Sequence, residues 1–168
     1  MDLQVVDNFL PSFQFKILQS SMMGTSFPWF YNDFIADENK EDSGYQYIHN
    51  FLGLGVSQEL VKQRHPYYHL VQPFEKLGKM YRIKANMRTR TLFHRRSYYH
   101  IDNIKGATTT AIFYINTCNG YTKFKKSGKK IKTVANRMVI FDSNLEHAAF
   151  SQTDEKVRVV INFNYEKF

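Results

Sequence analysis

The sequence predicts a mainly β domain, a sandwich, jelly roll or barrel, with helices from its first half packed on one sheet. Three observations predict it. From Tyr81 onward the hydrophobic period shortens to two; short β-branched and aromatic runs then recur with no helical segment between them; and tight-turn residues separate those runs. The 168 residues suit one ordinary domain, and 15 Phe and 11 Tyr give it ample apolar volume for a core. A hydrophobic fraction of 43% excludes a disordered chain. No apolar run reaches the ~20 residues that span a bilayer, and no basic-then-apolar signal pattern opens the chain, so neither a membrane span nor secretion is expected. A single cysteine, Cys118, excludes a disulfide framework and a cysteine-rich zinc site; a reducing, cytoplasmic setting is the natural expectation.

Taken in order, Phe13, Phe15, Ile17 and Leu18 have the spacing of a helix that packs on a core, with Pro11-Ser12 at its start. Residues 32–44, rich in Asn, Asp and Glu and closed by Gly44, read as a polar surface loop that could close over a site. Gln58 to Met80 has helical spacing interrupted by Pro66 and Pro73, which predicts two helical segments. Residues 1–80 are thus expected to form a helical and loop part, and 81–168 the β core, of a single domain. Tyr81, Ile83, Ala85 and Met87 alternate with Arg82, Lys84, Asn86 and Arg88, the pattern of a half-buried strand. Thr108–Asn116 is a β-branched and aromatic strand. Tyr121–Lys126 and Lys129–Val134 flank Ser127-Gly128 as a hairpin, and Met138–Asp142 and Val157–Tyr165 complete the strands.

Charge is divided unevenly. Residues 1–60 carry 2 basic and 8 acidic side chains, residues 61–168 carry 21 and 7. Either an anionic ligand or partner serves the basic part, or the two parts pack with complementary fields.

Among six histidines, only His100 has a carboxylate at strand spacing, in His100-Ile101-Asp102. Residues two apart on an extended backbone project to one side, so imidazole and carboxylate can address one ion. His147, a short loop beyond the strand Met138–Asp142, is a candidate third ligand. Two His and one carboxylate on one face of an octahedron form the non-haem Fe(II) arrangement, with three positions open. Arg158 lies in the apolar run Val157–Ile161, where a guanidinium is costly unless it meets an anion. It shares a strand face with Val160 and Asn162, whereas Val157, Val159, Ile161 and Phe163 make a wholly apolar opposite face. That polar face suggests the lining of a pocket; a structural salt bridge is the alternative.

These segments resemble, in order, the catalytic core of the Fe(II)/2-oxoglutarate-dependent dioxygenases, in particular the prolyl-hydroxylase-like branch. The matching pieces are Tyr99-His100-Ile101-Asp102-Asn103, Ile112–Asn116, Asn119–Phe124, Asn136–Ser143, Glu146-His147 and Arg158, and they cover residues 81–165, about half the chain. The resemblance implies a double-stranded β-helix, a jelly roll, with the metal at its open mouth. It further implies that His100, Asp102 and His147 bind Fe(II), that no other side chain is catalytic, and that Arg158 pairs with the distal carboxylate of 2-oxoglutarate with support from the Tyr114 hydroxyl. Asn86 would touch the other end of the cosubstrate, and Arg88 and Arg90 the substrate. Dioxygen would fill the remaining iron position. The implied reaction is hydroxylation of a C–H bond with release of succinate and CO2, a peptidyl side chain such as proline or a small molecule being the expected substrate. Asn119-Gly120 stands where the family usually has Gly-Gly, which alters a turn. Asp102 fills the position that is small in related halogenating enzymes and so disfavours halogenation. A second arginine of the kind that nucleic-acid demethylases carry is missing.

The remaining features are less specific. His65 and His69 are four apart, but Pro66 interrupts the turn. Phe27–Tyr31 is an aromatic cluster suited to a core. Lys123, Lys125, Lys126, Lys129, Lys130 and Lys132 crowd the hairpin and could bind nucleic acid. A basic β-domain that binds nucleic acid without catalysis, or an oxygenase with a nucleic-acid substrate, are the competing readings.

Overall fold

The computed structural model describes residues 3–35, 44–102 and 104–168. Among the described residues, ten strands form two antiparallel sheets. The strands are β1 (Gln4–Val6), β2 (Phe30–Asn32), β3 (Gln46–Leu52), β4 (Lys79–Thr89), β5 (Thr109–Tyr114), β6 (Tyr121–Phe124), β7 (Lys130–Lys132), β8 (Arg137–Asp142), β9 (His147–Phe150) and β10 (Val157–Glu166). The larger sheet runs β1-β8-β5-β10-β4-β3-β2 and the smaller β7-β6-β9. This is the expected mainly β core with a jelly-roll pair of sheets.

The two faces of the larger sheet have different partners. Helix α1 (Ser12–Met23) and the 3-10 turns Tyr68–Leu70 and Gln72–Leu77 cover one face, as the sequence predicts. Leu18, Met22 and Phe74 bury there against Phe113, Ile161 and Phe163. The alternate residues of the same strands, Ile112, Tyr114, Val139 and Val160, pack on the other face with Phe124 and Ile131 of the smaller sheet. Period-two patterning therefore builds two cores back to back, and the second lies between the sheets. Helix α2 (Gln58–Arg64) buries no residue and is peripheral.

The division at residue 80 needs correction. Three strands from the first 80 residues join the larger sheet: β1 pairs with β8, β3 with β4, and β2 with β3. The supposed aromatic core cluster at 27–31 is split, with Phe27 buried while Phe30 and Tyr31 are exposed on β2. The expected hairpin is present. Gly128 turns it at φ +68°, in the left-handed region that suits glycine, and its amide donates to the Phe124 carbonyl at 2.9 Å. Most of the 32–44 loop, residues 36–43, lies outside the described residues. Among the described residues no helix is long and apolar enough to cross a membrane.

Candidate metal centre and its pocket

His100 and His147 face each other across a single antiparallel bridge. Each backbone amide donates to the other's carbonyl, at 3.1 and 3.0 Å. Directly opposed residues of such a pair project to one side, and the two imidazole rings accordingly lie 4.5 Å apart, centroid to centroid. His147 is the first residue of β9 rather than a loop residue, so its backbone is held in a sheet. Asp102 follows His100 by two residues and its amide donates to the Ser143 carbonyl at 3.1 Å. One ligand atom from each of His100, Asp102 and His147 falls within 4.8 Å of the others, and this is the group of such residues able to share a cation among the described residues.

The surroundings suit the metal-binding form of each side chain. His100 Nδ1 lies 3.1 Å from the Tyr98 carbonyl and His147 Nδ1 lies 3.0 Å from the Leu145 carbonyl. A carbonyl accepts only from a protonated nitrogen, so Nδ1–H is fixed and the Nε2 lone pair is left for an ion. Burial pushes the His147 pKa down, Asp102 opposes that and His100 adds to it, so the imidazole is held neutral. The carboxylate is held too. Asn164 Nδ2 donates to Thr110 Oγ1 at 3.1 Å, and Thr110 Oγ1 donates to Asp102 Oδ2 at 3.0 Å.

Arg158 projects from β10 into the same pocket and is 3% exposed. Its Nε donates to Thr133 Oγ1 at 2.8 Å and its Nη2 to Thr122 Oγ1 at 3.3 Å. Its remaining N–H donors and its charge find no carboxylate within ion-pairing distance among the described residues. The structural salt bridge is therefore not what holds it. Gly120 makes room for the side chain, since a Cβ there would stand 2.9 Å from Arg158 Cδ. The Tyr114 ring lies under the guanidinium at 5.5 Å, and its hydroxyl donates to Thr122 Oγ1 at 2.9 Å. Tyr114 is wholly buried behind Thr122, which itself lines the pocket. Thr122, a residue the sequence reading did not single out, is thus the polar group that the pocket presents there.

The cavity measures about 400 Å³ and opens between the sheets. Asn86 and Arg88 line it from β4, and Arg88 Nη1 donates to the Ala149 carbonyl at 3.4 Å. Arg90 does not; it is exposed beyond the end of β4, where its amide closes on the Lys156 carbonyl at 2.9 Å. Arg82 and Lys84 line the cavity instead. They sit on the face of β4 that carries Asn86 and Arg88, and the alternation that exposed those two contained them as well. Burial, then the charge of Arg82, push the Lys84 amine down to about 8, with Asp102 acting the other way.

The other candidates lie elsewhere. His65 Nε2 and His69 Nδ1 each contact a backbone carbonyl, of Asn50 and Pro66. The hairpin lysines line no part of the cavity; Lys125 pairs with Glu146 at 2.7 Å and Lys130 covers the Tyr121 ring at 5.2 Å.

No protein-family model matches the sequence, and no curated protein matches it. Solved structures do. The chain superposes on a 2OG-Fe(II) oxygenase-family oxidoreductase from Burkholderia pseudomallei with TM-score 0.65 at 9% identity, covering 99% of this chain and 85% of that one. A prolyl hydroxylase from Trichoplax adhaerens, in complex with a hypoxia-inducible-factor peptide, gives 0.63 at 16% identity over 98% and 83%. The viral collagen prolyl hydroxylase of Paramecium Bursaria Chlorella virus-1, in complex with 2OG, gives 0.58 at 13% identity over 96% and 94%. The fold is that of the Fe(II)/2-oxoglutarate oxygenases, prolyl hydroxylases among them.

Proposed function

We propose that this protein is an Fe(II)- and 2-oxoglutarate-dependent oxygenase that hydroxylates a C–H bond. The observation that carries the reading is one pocket holding both a two-His, one-carboxylate cluster and a buried arginine with no carboxylate partner among the described residues. His100 Nε2, His147 Nε2 and an Asp102 oxygen hold Fe(II). Arg158 binds the distal carboxylate of 2-oxoglutarate, since a guanidinium forks onto a carboxylate and this one has donors to spare. Thr122 orients Arg158, and Tyr114 orients Thr122. Asn86 and Arg88 face the space left for cosubstrate and substrate. When bound there, Fe(II) with 2-oxoglutarate and dioxygen supplies the oxidising power, yielding succinate, CO2 and a hydroxylated substrate.

A peptidyl side chain such as proline is the finer reading of the substrate; it draws support from the collagen prolyl hydroxylase and the peptide-bound hydroxylase that share the fold. The test is succinate release from 2-oxoglutarate by the iron-loaded protein across peptide, amino-acid and nucleic-acid pools. Release that depends on iron and is stimulated by a peptide pool supports both levels of the proposal. Absence of iron uptake together with salt-dependent nucleic-acid binding would replace it by the binding-domain reading.

A further inference from the structure

Arg82 and Lys84 are pocket cations that the proposed chemistry leaves without a counterpart. Both are half-buried, and among the described residues neither side chain makes a hydrogen bond or an ion pair. Among the described residues, four cationic side chains line the cavity, Arg82, Lys84, Arg88 and Arg158, against the carboxylate of Asp102. Setting Arg88 and its own contacts aside, the cations still outnumber the carboxylate by two. Filling the site as proposed does not change this, because the metal dication and the cosubstrate dianion cancel. Unmatched charge of one sign in a low-dielectric cavity is unfavourable until an anion enters.

The register separates these cations from Arg158. On the β4–β10 ladder Arg158 faces Arg88, whereas Lys84 faces Asn162 and Arg82 faces Asn164. Arg158 and Asn162 are four residue steps, about 13 Å, apart along the strand. Arg82 and Lys84 stand at the end where Asn164 and Thr110 hold Asp102, beside the metal ligands. Asn162 lines the cavity there with its Oδ1 unpartnered, ready to accept from a substrate N–H or O–H. Among the described residues Leu54 and Ile101, which are 63% and 41% exposed, line the cavity where it meets solvent at its mouth. A polyphosphate chain would call for cations around that mouth, and the clustered lysines are on the hairpin instead.

We propose that Arg82 and Lys84 bind a carboxylate of the substrate, so that the oxidised C–H bond belongs to an organic acid or an acidic peptide residue. This rests on the oxygenase reading and specifies its substrate class. The test uses the full chain with Mn(II) in the metal site and saturating 2-oxoglutarate, titrated calorimetrically with tri-glutamate, tri-glutamine, free glutamate, inorganic phosphate and a short single-stranded oligonucleotide. Tri-glutamate or glutamate should bind at least about tenfold tighter than the amide peptide, and Arg82→Gln/Lys84→Gln should erase that preference. The ligand-free double variant should melt at or above the wild-type temperature, because two unpaired like charges are gone. No acid-over-amide preference, or the same preference in the double variant, overturns the inference. So does a lowered melting temperature, which would mean that the cations pair with acids of this chain. Binding of the oligonucleotide or phosphate alone would overturn the carboxylate class. Failure of the wild type to bind 2-oxoglutarate with Mn(II) would instead reject the oxygenase reading itself.

Discussion

Arg158→Met should change two measurable quantities in opposite ways. In the ligand-free protein Arg158 is 3% exposed, and its guanidinium donates to threonine hydroxyls at 2.8 and 3.3 Å. Among the described residues no carboxylate lies within ion-pairing distance of it. Replacing such a group with an apolar one of similar length is typically neutral or stabilising, so the melting temperature should hold or rise slightly. With 2-oxoglutarate present the balance reverses, because a buried charge pair loses one partner at a cost of roughly 3–5 kcal/mol. At about 1.4 kcal/mol per factor of ten, the 2-oxoglutarate concentration for half-maximal succinate release should rise by on the order of 10²-fold or more. The assay is succinate release against 2-oxoglutarate concentration for both proteins at saturating Fe(II), with melting curves beside it. An unchanged 2-oxoglutarate dependence would remove Arg158 from the cosubstrate site. A large fall in ligand-free stability would show that the arginine is a structural tie.

Asp102→Ala and His147→Ala should each abolish iron-dependent succinate release while leaving the circular-dichroism spectrum intact; undiminished turnover would reject the ligand assignment. Gly120→Ala places a methyl 2.9 Å from Arg158 Cδ and 3.0 Å from the Phe150 carbonyl, so 2-oxoglutarate affinity should fall with no loss of metal binding in a direct titration. His49, buried with its Nε2 unpartnered and its Nδ1 on the Pro28 carbonyl at 2.9 Å, has its pKa pushed below 6.5, chiefly by burial. The unfolded chain therefore takes up this proton first, and stability should decline as pH falls below about 6.5 towards the folded-state value. Melting curves of His49→Phe should lose that part of the acid slope, and an unaltered slope would exonerate His49.

What the sequence disclosed, and what it did not, follows from where alternation is clean. His100-Ile101-Asp102 and the two faces of Val157–Phe163 are read by counting in twos: the His and Asp and the Arg158–Asn162 face line the pocket, and the Val159–Phe163 face packs in the core on the other side of the sheet. β3 escaped because its burial pattern is irregular and a register shift between Asn50 and Leu52 breaks the alternation. β9 escaped because four residues, two of them alanine, carry little strand signal, so His147 read as a loop residue. Arg90 was extrapolated one step beyond a strand that ends at Thr89. Arg82 and Lys84 were visible as a charged face, but a charged face is ordinarily solvated, and only the smaller sheet standing opposite makes this one an interior wall.

The reciprocal amide bonds joining His100 and His147 have a consequence for cation traffic. Because backbone bonds to the facing residue, rather than a coordinated ion, align the pair, the nitrogen claw persists when empty and loading requires no refolding. Occupancy is then decided by competition among whatever divalent ions the cell or the purification buffer supplies, and N/O sites of this kind favour copper, nickel or zinc over iron. Preparations of this protein should accordingly be stripped with chelator and reloaded anaerobically with Fe(II) before inactivity is ascribed to the polypeptide.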